Sequence, residues 1–319
     1  MTTNELHVVL GTGPLGSATA EALVRRGRRV LMVNRSGQGE VPTGVSVSKA
    51  DLYDQASVRQ VAKGAVAVYQ CAQPAYTEWT TKFEPLQTAI IEGVAASGAK
   101  LIVAENLYMY GAVAGPIHED LPYAAHTRKG RVRARMAEQV AEAHRSGKLP
   151  TASARGSDFF GPGVLGSTIG ERVFLPALQG KTAQLTGRTD QLHSYTYISD
   201  FGEVLAILGE RAEGLGKHWH VPNAPALTQR AVVDLISAEL GQPVKSTGMG
   251  WLMMSLGGLF IPEARETVEM LYEFDQPFVV DSSHFERTFG LKPTPTAKAI
   301  HETLAWYRVH HTAQPATAH

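Results

Sequence analysis

Glycines at positions 11, 13 and 16 stand in the pattern Gly-x-Gly-x-x-Gly within Leu6-His7-Val8-Val9-Leu10-Gly11-Thr12-Gly13-Pro14-Leu15-Gly16. The chemistry open to that spacing is the grip of a pyrophosphate. Gly11 allows the turn out of a strand, Gly13 lets backbone approach the phosphates, and Gly16 lets the next helix pack closely on the sheet. The phosphates then sit at a helix N-terminus opened by Pro14 and Leu15, where unpaired N–H groups and the helix dipole favour negative charge. The apolar run 6–10 reads as the strand that the motif needs, and residues 17–26 continue with a helical period.

A second group of residues addresses the far end of a dinucleotide. Residues 29–33 read as the second strand, which ends at Asn34-Arg35-Ser36. NAD-selective sites usually place Asp or Glu there, and an acid would repel a 2′-phosphate. Asn34 removes that repulsion and Arg35 offers a planar, permanently charged fork, so the sequence favours NADP(H), with NAD(H) possible. Asp51, beside Leu52 after a third short strand, is placed to accept from an adenine amino group or to cap the next helix.

The reacting end falls to loops after later strands. Pro74 and Tyr76 follow the fourth strand, at 65–72, and Asn106, Tyr108 and Tyr110 follow the fifth, at 100–104. Ligands of open α/β sheets bind over the carboxyl ends of the strands. Phe159 and Phe160 supply apolar walls at a bend fixed by Gly161 and Pro162, with Ser157 and Asp158 beside them and His193 on a strand bordering the pocket. Tyr108 is the first choice to orient or protonate a substrate, then Tyr110; Asn106 can orient a carbonyl.

Strands alternating with helices throughout imply an α/β protein, a Rossmann-type doubly wound parallel sheet with a smaller C-terminal substrate lobe. We place the dinucleotide domain at 1–156 and mainly the substrate lobe at 157–311, the two interleaved, with a tail at 312–319. Helix 200–211 and strand 217–221 are assigned to the lobe, and the chain is taken to fray after Tyr307.

Bulk properties narrow the partners. The 319 residues carry no formal net charge, and the single cysteine, Cys71, excludes an internal disulfide framework. Nothing suggests nucleic-acid or membrane binding; the apolar stretch 251–261 is too short for a bilayer and reads as core. The chain enters a strand almost at once, so no signal peptide is expected and the cytoplasm is the default. His118, Glu119 and Asp120 match no metal-ligand spacing, and no metal site is expected. The partners expected are a small-molecule substrate and at most a second copy of the chain, giving a monomer or homodimer.

Taken in order, the glycine turn, Asp51-Leu52, Glu105-Asn106-Leu107-Tyr108-Met109-Tyr110-Gly111, Arg155-Gly156-Ser157-Asp158-Phe159-Phe160-Gly161-Pro162-Gly163 and Ser194-Tyr195-Thr196-Tyr197-Ile198-Ser199-Asp200 resemble the extended or atypical short-chain dehydrogenase/reductases, the NAD-dependent epimerase/dehydratase group. The resemblance runs from Leu6 to about Tyr307, and its departures bear on chemistry. Leu10 stands where that group's first glycine belongs. Asn106 takes the place of its catalytic Ser or Thr, while Gly130 and Ala134 take the places of its Tyr-x-x-x-Lys pair. Lys129, Arg131, Arg133 and Arg135 are candidates to replace the lysine's charge, although at helical spacing at most one or two can face the pocket.

The expected activity is that of an NADP(H)-dependent oxidoreductase of this atypical type, acting on a small or medium, largely apolar carbonyl or activated alkene. A nucleotide-sugar epimerase/dehydratase and a catalytically silent NADP(H)-binding sensor or scaffold are the alternatives.

Overall fold

The computed structural model describes residues 5–250 and 266–311. Its centre is a seven-stranded sheet of β1 (Leu6–Leu10), β2 (Arg29–Asn34), β3 (Ser46–Lys49), β4 (Ala65–Gln70), β5 (Lys100–Glu105), β6 (Thr151–Arg155) and, after intervening elements, His218–His220. Every neighbouring pair in it is parallel. The strands lie in the order His218–His220, β6, β5, β4, β1, β2, β3, so the direction of winding reverses between β1 and β4. That switch opens a crevice over the carboxyl ends of β1 and β4, where such folds seat ligands.

Alternation along the strands explains the layers. Val8 and Leu10 pack, with Val68, Leu101 and Val103, against α2 (Gln55–Ala62), α3 (Trp79–Ala95) and α4 (Arg128–Arg145). Val9, Met32, Tyr69 and Ile102 point to the other face and meet α1 (Pro14–Arg25) and α6 (Ile198–Glu210). A sheet buried on both faces needs apolar residues at both parities, which is why β1 reads as an unbroken apolar run. Asp54 caps α2, accepting from the Ala56 and Ser57 amides, whereas Asp51 closes a turn by accepting from the Tyr53 amide at 3.0 Å. Leu52 is buried in the core beneath it.

The smaller lobe follows β7 (Asp158–Phe160). It holds α5 (Glu171–Leu178), β8 (Ala183–Thr186), β9 (Tyr195–Tyr197), α7 (Gln229–Leu240) and a terminal helix, Thr296–His311, around its own apolar core. Two assignments change. Helix α6 and the strand His218–His220 belong to the central sheet and its cover, not to the lobe, because α6 packs along α1 and His218–His220 pairs with β6. The terminal helix runs on past Tyr307 to His311. Residues 251–261 and the tail 312–319 lie outside the described residues, and among the described residues no helix is long and apolar enough to cross a membrane.

Helices α1 and α6 approach so closely that a Cβ at Gly202 would stand 2.6 Å from the Ala18 carbonyl carbon and oxygen. Only backbone movement relieves that overlap. We expect Gly202→Ala to destabilise the fold by about 1–3 kcal/mol, read as a lower urea midpoint at unchanged m-value; an unaltered midpoint would show that the two helices have slack.

Candidate active site

The crevice holds a cavity of about 550 Å³. Its lining includes Gly11, Thr12, Gly13, Pro14 and Leu15 of the glycine turn, together with Gln70, Cys71, Asn106, Tyr108 and Phe159 and with Trp79, Phe83, Glu273 and Phe278.

The glycine end has the features a pyrophosphate requires. Gly11 has φ +110°, and a Cβ there would press on the Ala72 amide at 2.9 Å. A Cβ at Gly16 would lie 2.2 Å from the Gly11 carbonyl oxygen, so the helix meets the turn without side chains between them. A Cβ at Gly13 would meet nothing within 4 Å: that position faces the cavity. No side chain caps α1, and Pro14 has no N–H, so the amides that follow remain for an anion. Further along, Gln70 Oε1, Ser167 Oγ and Trp79 Nε1 are buried against the cavity without a hydrogen-bond partner among the described residues. Buried polar atoms rarely stay unpaired, so a polar ligand is the expected partner. These residues fit a dinucleotide.

The β2 loop is built differently from the expectation for its asparagine. Asn34 Oδ1 accepts from the Ser36 and Gly37 amides at 3.0 and 2.6 Å, and its Nδ2 donates to Thr12 Oγ1 and the Gln38 carbonyl. Asn34 shapes the loop and ties it to the glycine turn, and Ser36 Oγ is committed to Asn34 and Gln38. Arg35 is exposed. Neither these three residues nor Asp51 and Leu52 line the cavity.

At the reacting end, α4 determines what is present. A Cβ at Gly130 would stand 2.7 Å from both the Tyr108 carbonyl oxygen and the Ala125 Cβ, so this helix turn has no room for a methyl, still less a phenol. Ala134 is packed in a small apolar cluster with Leu107 and Met109. Of the four basic candidates, Arg131 reaches only the His126 carbonyl, Arg135 pairs with Glu84 at the surface, and the buried Lys129 pairs with Glu266 and Glu269. Arg133 alone lines the cavity. It is buried, its guanidinium lies 4.9 Å from the Phe83 ring centre, and its Nε donates to Asn106 Oδ1 at 3.2 Å.

That bond fixes the amide of Asn106. Its other partner, the Tyr108 amide, is also a donor, so the atom they share is the oxygen and Nδ2 remains as a donor to the cavity. Tyr108 lines the same wall, and burial, reinforced by Tyr76 and Glu273, raises its hydroxyl well above the ordinary range. No ammonium group pulls it down. Tyr108 is therefore a neutral hydrogen-bond donor that holds its proton.

Several candidates lie elsewhere. Tyr110 is buried behind the cavity in a network of its own. His220 Nδ1 donates to the Asp281 carbonyl at 3.0 Å, so its Nε2 accepts from the Tyr110 hydroxyl, which in turn accepts from Arg155. Arg155 also bonds the Tyr123 hydroxyl and forms a buried ion pair with Glu105 at 2.9 Å. Tyr110 has no proton left to offer a substrate. His193 is stacked between Phe274 and Phe278 at 4.8 and 4.9 Å; its Nε2 lies 2.8 Å from Asp158 Oδ2 but out of line for a hydrogen bond. Pro74, Phe160 and His193 do not line the cavity, whereas Tyr76 and Phe159 do. Ser157 serves the bend, donating to the Ser194 carbonyl, and burial pushes the Cys71 thiol up to about 12.

The residue that sequence reasoning missed is Glu273, which is 3% exposed and lines the cavity beside Asp158. Burial, then Asp158, raises its carboxyl well above the usual range. Its signal in the chain is a lone acid inside Met270-Leu271-Tyr272-Glu273-Phe274.

The model of the NAD dependent epimerase/dehydratase family matches residues 8–221. The chain belongs to that family. Solved structures agree on the fold of this family member. A dTDP-glucose 4,6-dehydratase from Bacillus anthracis in complex with NAD superposes with a TM-score of 0.78 at 15% identity, covering 97% of this chain and 98% of that one. A UDP-glucuronic acid 4-epimerase from Bacillus cereus in complex with NAD gives 0.77 at 14% identity, with 98% and 99% covered. A UDP-N-acetylglucosamine 4-epimerase from Bacillus cereus gives 0.77 at 15%, with 99% of each covered. No curated protein matches the sequence.

The buried histidines carry a stability consequence. Burial holds His220 down to about 3, and burial with the Arg28 charge holds His7 down to about 4. Between pH 6.5 and these values the unfolded chain binds protons that the folded chain refuses, so stability is lost as pH falls through that window. Urea unfolding at pH 7 and pH 5 should show a loss of about 1–2 kcal/mol per histidine; equal stability at both would mean that water reaches these rings.

Proposed function

We propose that this family member binds a nicotinamide dinucleotide along the glycine turn and catalyses hydride transfer at a carbonyl or carbinol carbon held by Asn106 and Tyr108. The observation that carries the reading is the single cavity joining Gly11–Leu15 to Asn106, Tyr108 and Arg133. The bound cofactor supplies or takes the hydride. Asn106 Nδ2 and the Tyr108 hydroxyl donate to the substrate oxygen, and Arg133 fixes Asn106 while adding positive charge behind the oxygen where negative charge develops. Arg35 supports NADP(H) as the preferred form; the relatives solved with NAD keep NAD(H) open.

Two observations pull on the substrate in opposite directions. The named relatives act on nucleotide sugars, which favours an epimerase or dehydratase reaction. The walls here favour something smaller. Beyond the glycine turn, the described lining includes the rings of Tyr76, Trp79, Phe83, Phe159 and Phe278, the polar Gln73, Ser157 and Ser167 and the acids Glu105, Asp158 and Glu273, and its cation, Arg133, is engaged by Asn106. A diphosphate would bring negative charge beside Asp158, with no unengaged cation among the described lining residues to receive it. At 14–15% identity the relatives fix the fold and leave the substrate to these side chains. A small or medium uncharged carbonyl compound, or its alcohol, is the substrate that the pocket supports.

The test is oxidation of NADPH, followed at the nicotinamide absorbance, with straight-chain aldehydes and methyl ketones, and in parallel the conversion of UDP- and dTDP-sugars, followed by chromatography of the sugar nucleotide because epimerisation and dehydration leave the cofactor unchanged overall. Turnover of the former and none of the latter is expected; the reverse would establish the nucleotide-sugar reading. Gly13→Val should leave the thermal midpoint within about 2 °C, since its side chain enters open space, yet weaken cofactor binding about tenfold or more. Arg35→Ala should lower affinity for NADPH and leave that for NADH unchanged; equal losses would remove the 2′-phosphate role.

A further inference from the structure

Hydride arriving at a carbonyl carbon leaves the oxygen in need of a proton, and Gly130 and Ala134 have none to give. Burial raises the Tyr108 hydroxyl above its ordinary range and leaves it a weaker acid than a carboxyl group. The cavity contains another pair of groups suited to the task. Glu273 sits in the short helix Tyr272–Asp275 and lines the cavity that also holds Asn106 and Tyr108. It is 97% buried and has no hydrogen-bond partner among the described residues. Asp158, the first residue of β7, lines the same cavity and presents Oδ2 without an in-line donor.

The groups around them do not neutralise this pair. Tyr76, Tyr108 and Tyr272 contribute hydroxyls, and the Tyr272 hydroxyl is itself buried and unpaired. Glu269 faces the same region but is bound to Lys129 at 3.2 Å, and Lys129 also holds Glu266. Arg133 is turned to Asn106, and His193 meets Asp158 off-axis. Glu273 is buried without a partner among the described residues, and Asp158, with its side chain 17% exposed, adds a like charge in the same cavity, so the Glu273 carboxyl keeps its proton.

We propose that the Asp158–Glu273 carboxyl pair is the proton donor and acceptor of this site, with Glu273 carrying the proton and Asp158 keeping it there. The inference rests on the hydride-transfer reading above. In the reducing direction the carbonyl carbon gains the hydride, the C=O π pair moves to oxygen, and that oxygen takes the Glu273 proton. The substrate is reduced by two electrons, the nicotinamide is oxidised by two, and the Glu273 carboxylate is reprotonated from solvent. In the oxidising direction the carboxylate receives the alcohol proton. Glu273 is thus a catalytic residue and Asp158 a positioning residue.

The experiment uses the full chain and its Glu273→Gln and Asp158→Asn variants. Infrared spectroscopy reads the C=O stretch of a protonated carboxyl at pH 7, and NADPH oxidation by acetaldehyde through octanal reads turnover against pH. We expect a protonated-carboxyl band in the wild type and in Asp158→Asn that is missing from Glu273→Gln. In Glu273→Gln we expect kcat to fall about 10²- to 10⁴-fold with unchanged NADPH affinity. The wild-type rate should fall at alkaline pH as Glu273 ionises, and Asp158→Asn should move that limb to lower pH by removing the like charge. A wild type without the band, or Glu273→Gln with full turnover and the same alkaline limb, would overturn the proposal. A wild type that binds NADPH but oxidises it with none of the aldehydes would instead overturn the hydride-transfer reading, and the donor role with it.

Discussion

The site depends on how closely α4 approaches the turn that follows β5. Gly130 abuts the Tyr108 carbonyl with no space for a side chain, and Thr127 caps the helix by accepting from the Gly130 amide at 3.0 Å. This docking closes the place from which the family's phenol would project. It also sets the helical phase that points Arg133 at Asn106 and buries Lys129, while Arg131 and Arg135 reach the surface. This family member thus carries, at the helix turn where the resemblance places a tyrosine, a glycine with no room for a side chain.

Buried charge is handled in two ways around that crevice. At its wall, Glu105 is neutralised by Arg155, and Tyr110, Tyr123 and His220 behind it complete the hydrogen bonds. Breaking such a pair is strongly unfavourable, and a network of this kind holds β5, β6 and the strand His218–His220 in register. Inside the crevice, Glu273 has no cation beside it among the described residues, and Asp158 meets His193 at 2.8 Å but off-axis. Fully paired groups mark scaffold here, and unpaired ones mark the place left for a ligand.

Much of this was legible in the chain. The glycine spacing, the unbroken apolar strand before it and the regular alternation of strands and helices specify the doubly wound sheet, and Gly11 and Gly16 show the tight turn and the close packing that their positions imply. Asn106, Tyr108, Tyr76 and Phe159 were legible too, because loops after parallel strands converge over the sheet. What was not legible depends on direction and distance. Asn34 reads as an absent acid, but its short amide folds back on its own loop. Tyr110 and Tyr108 look alike in sequence, yet a turn of 3-10 helix sends one behind the sheet and the other into the cavity. Glu273 lies 115 positions beyond Asp158 in the chain, and no local pattern announces that they share a pocket.

Calorimetric titration of the full chain with NADPH and with NADH asks whether the glycine turn holds a nicotinamide dinucleotide. One molecule should bind per chain, in about the micromolar range or tighter, with NADPH the stronger ligand. Heat of binding absent for both would contradict it, and every assignment made to the reacting end would fall with it.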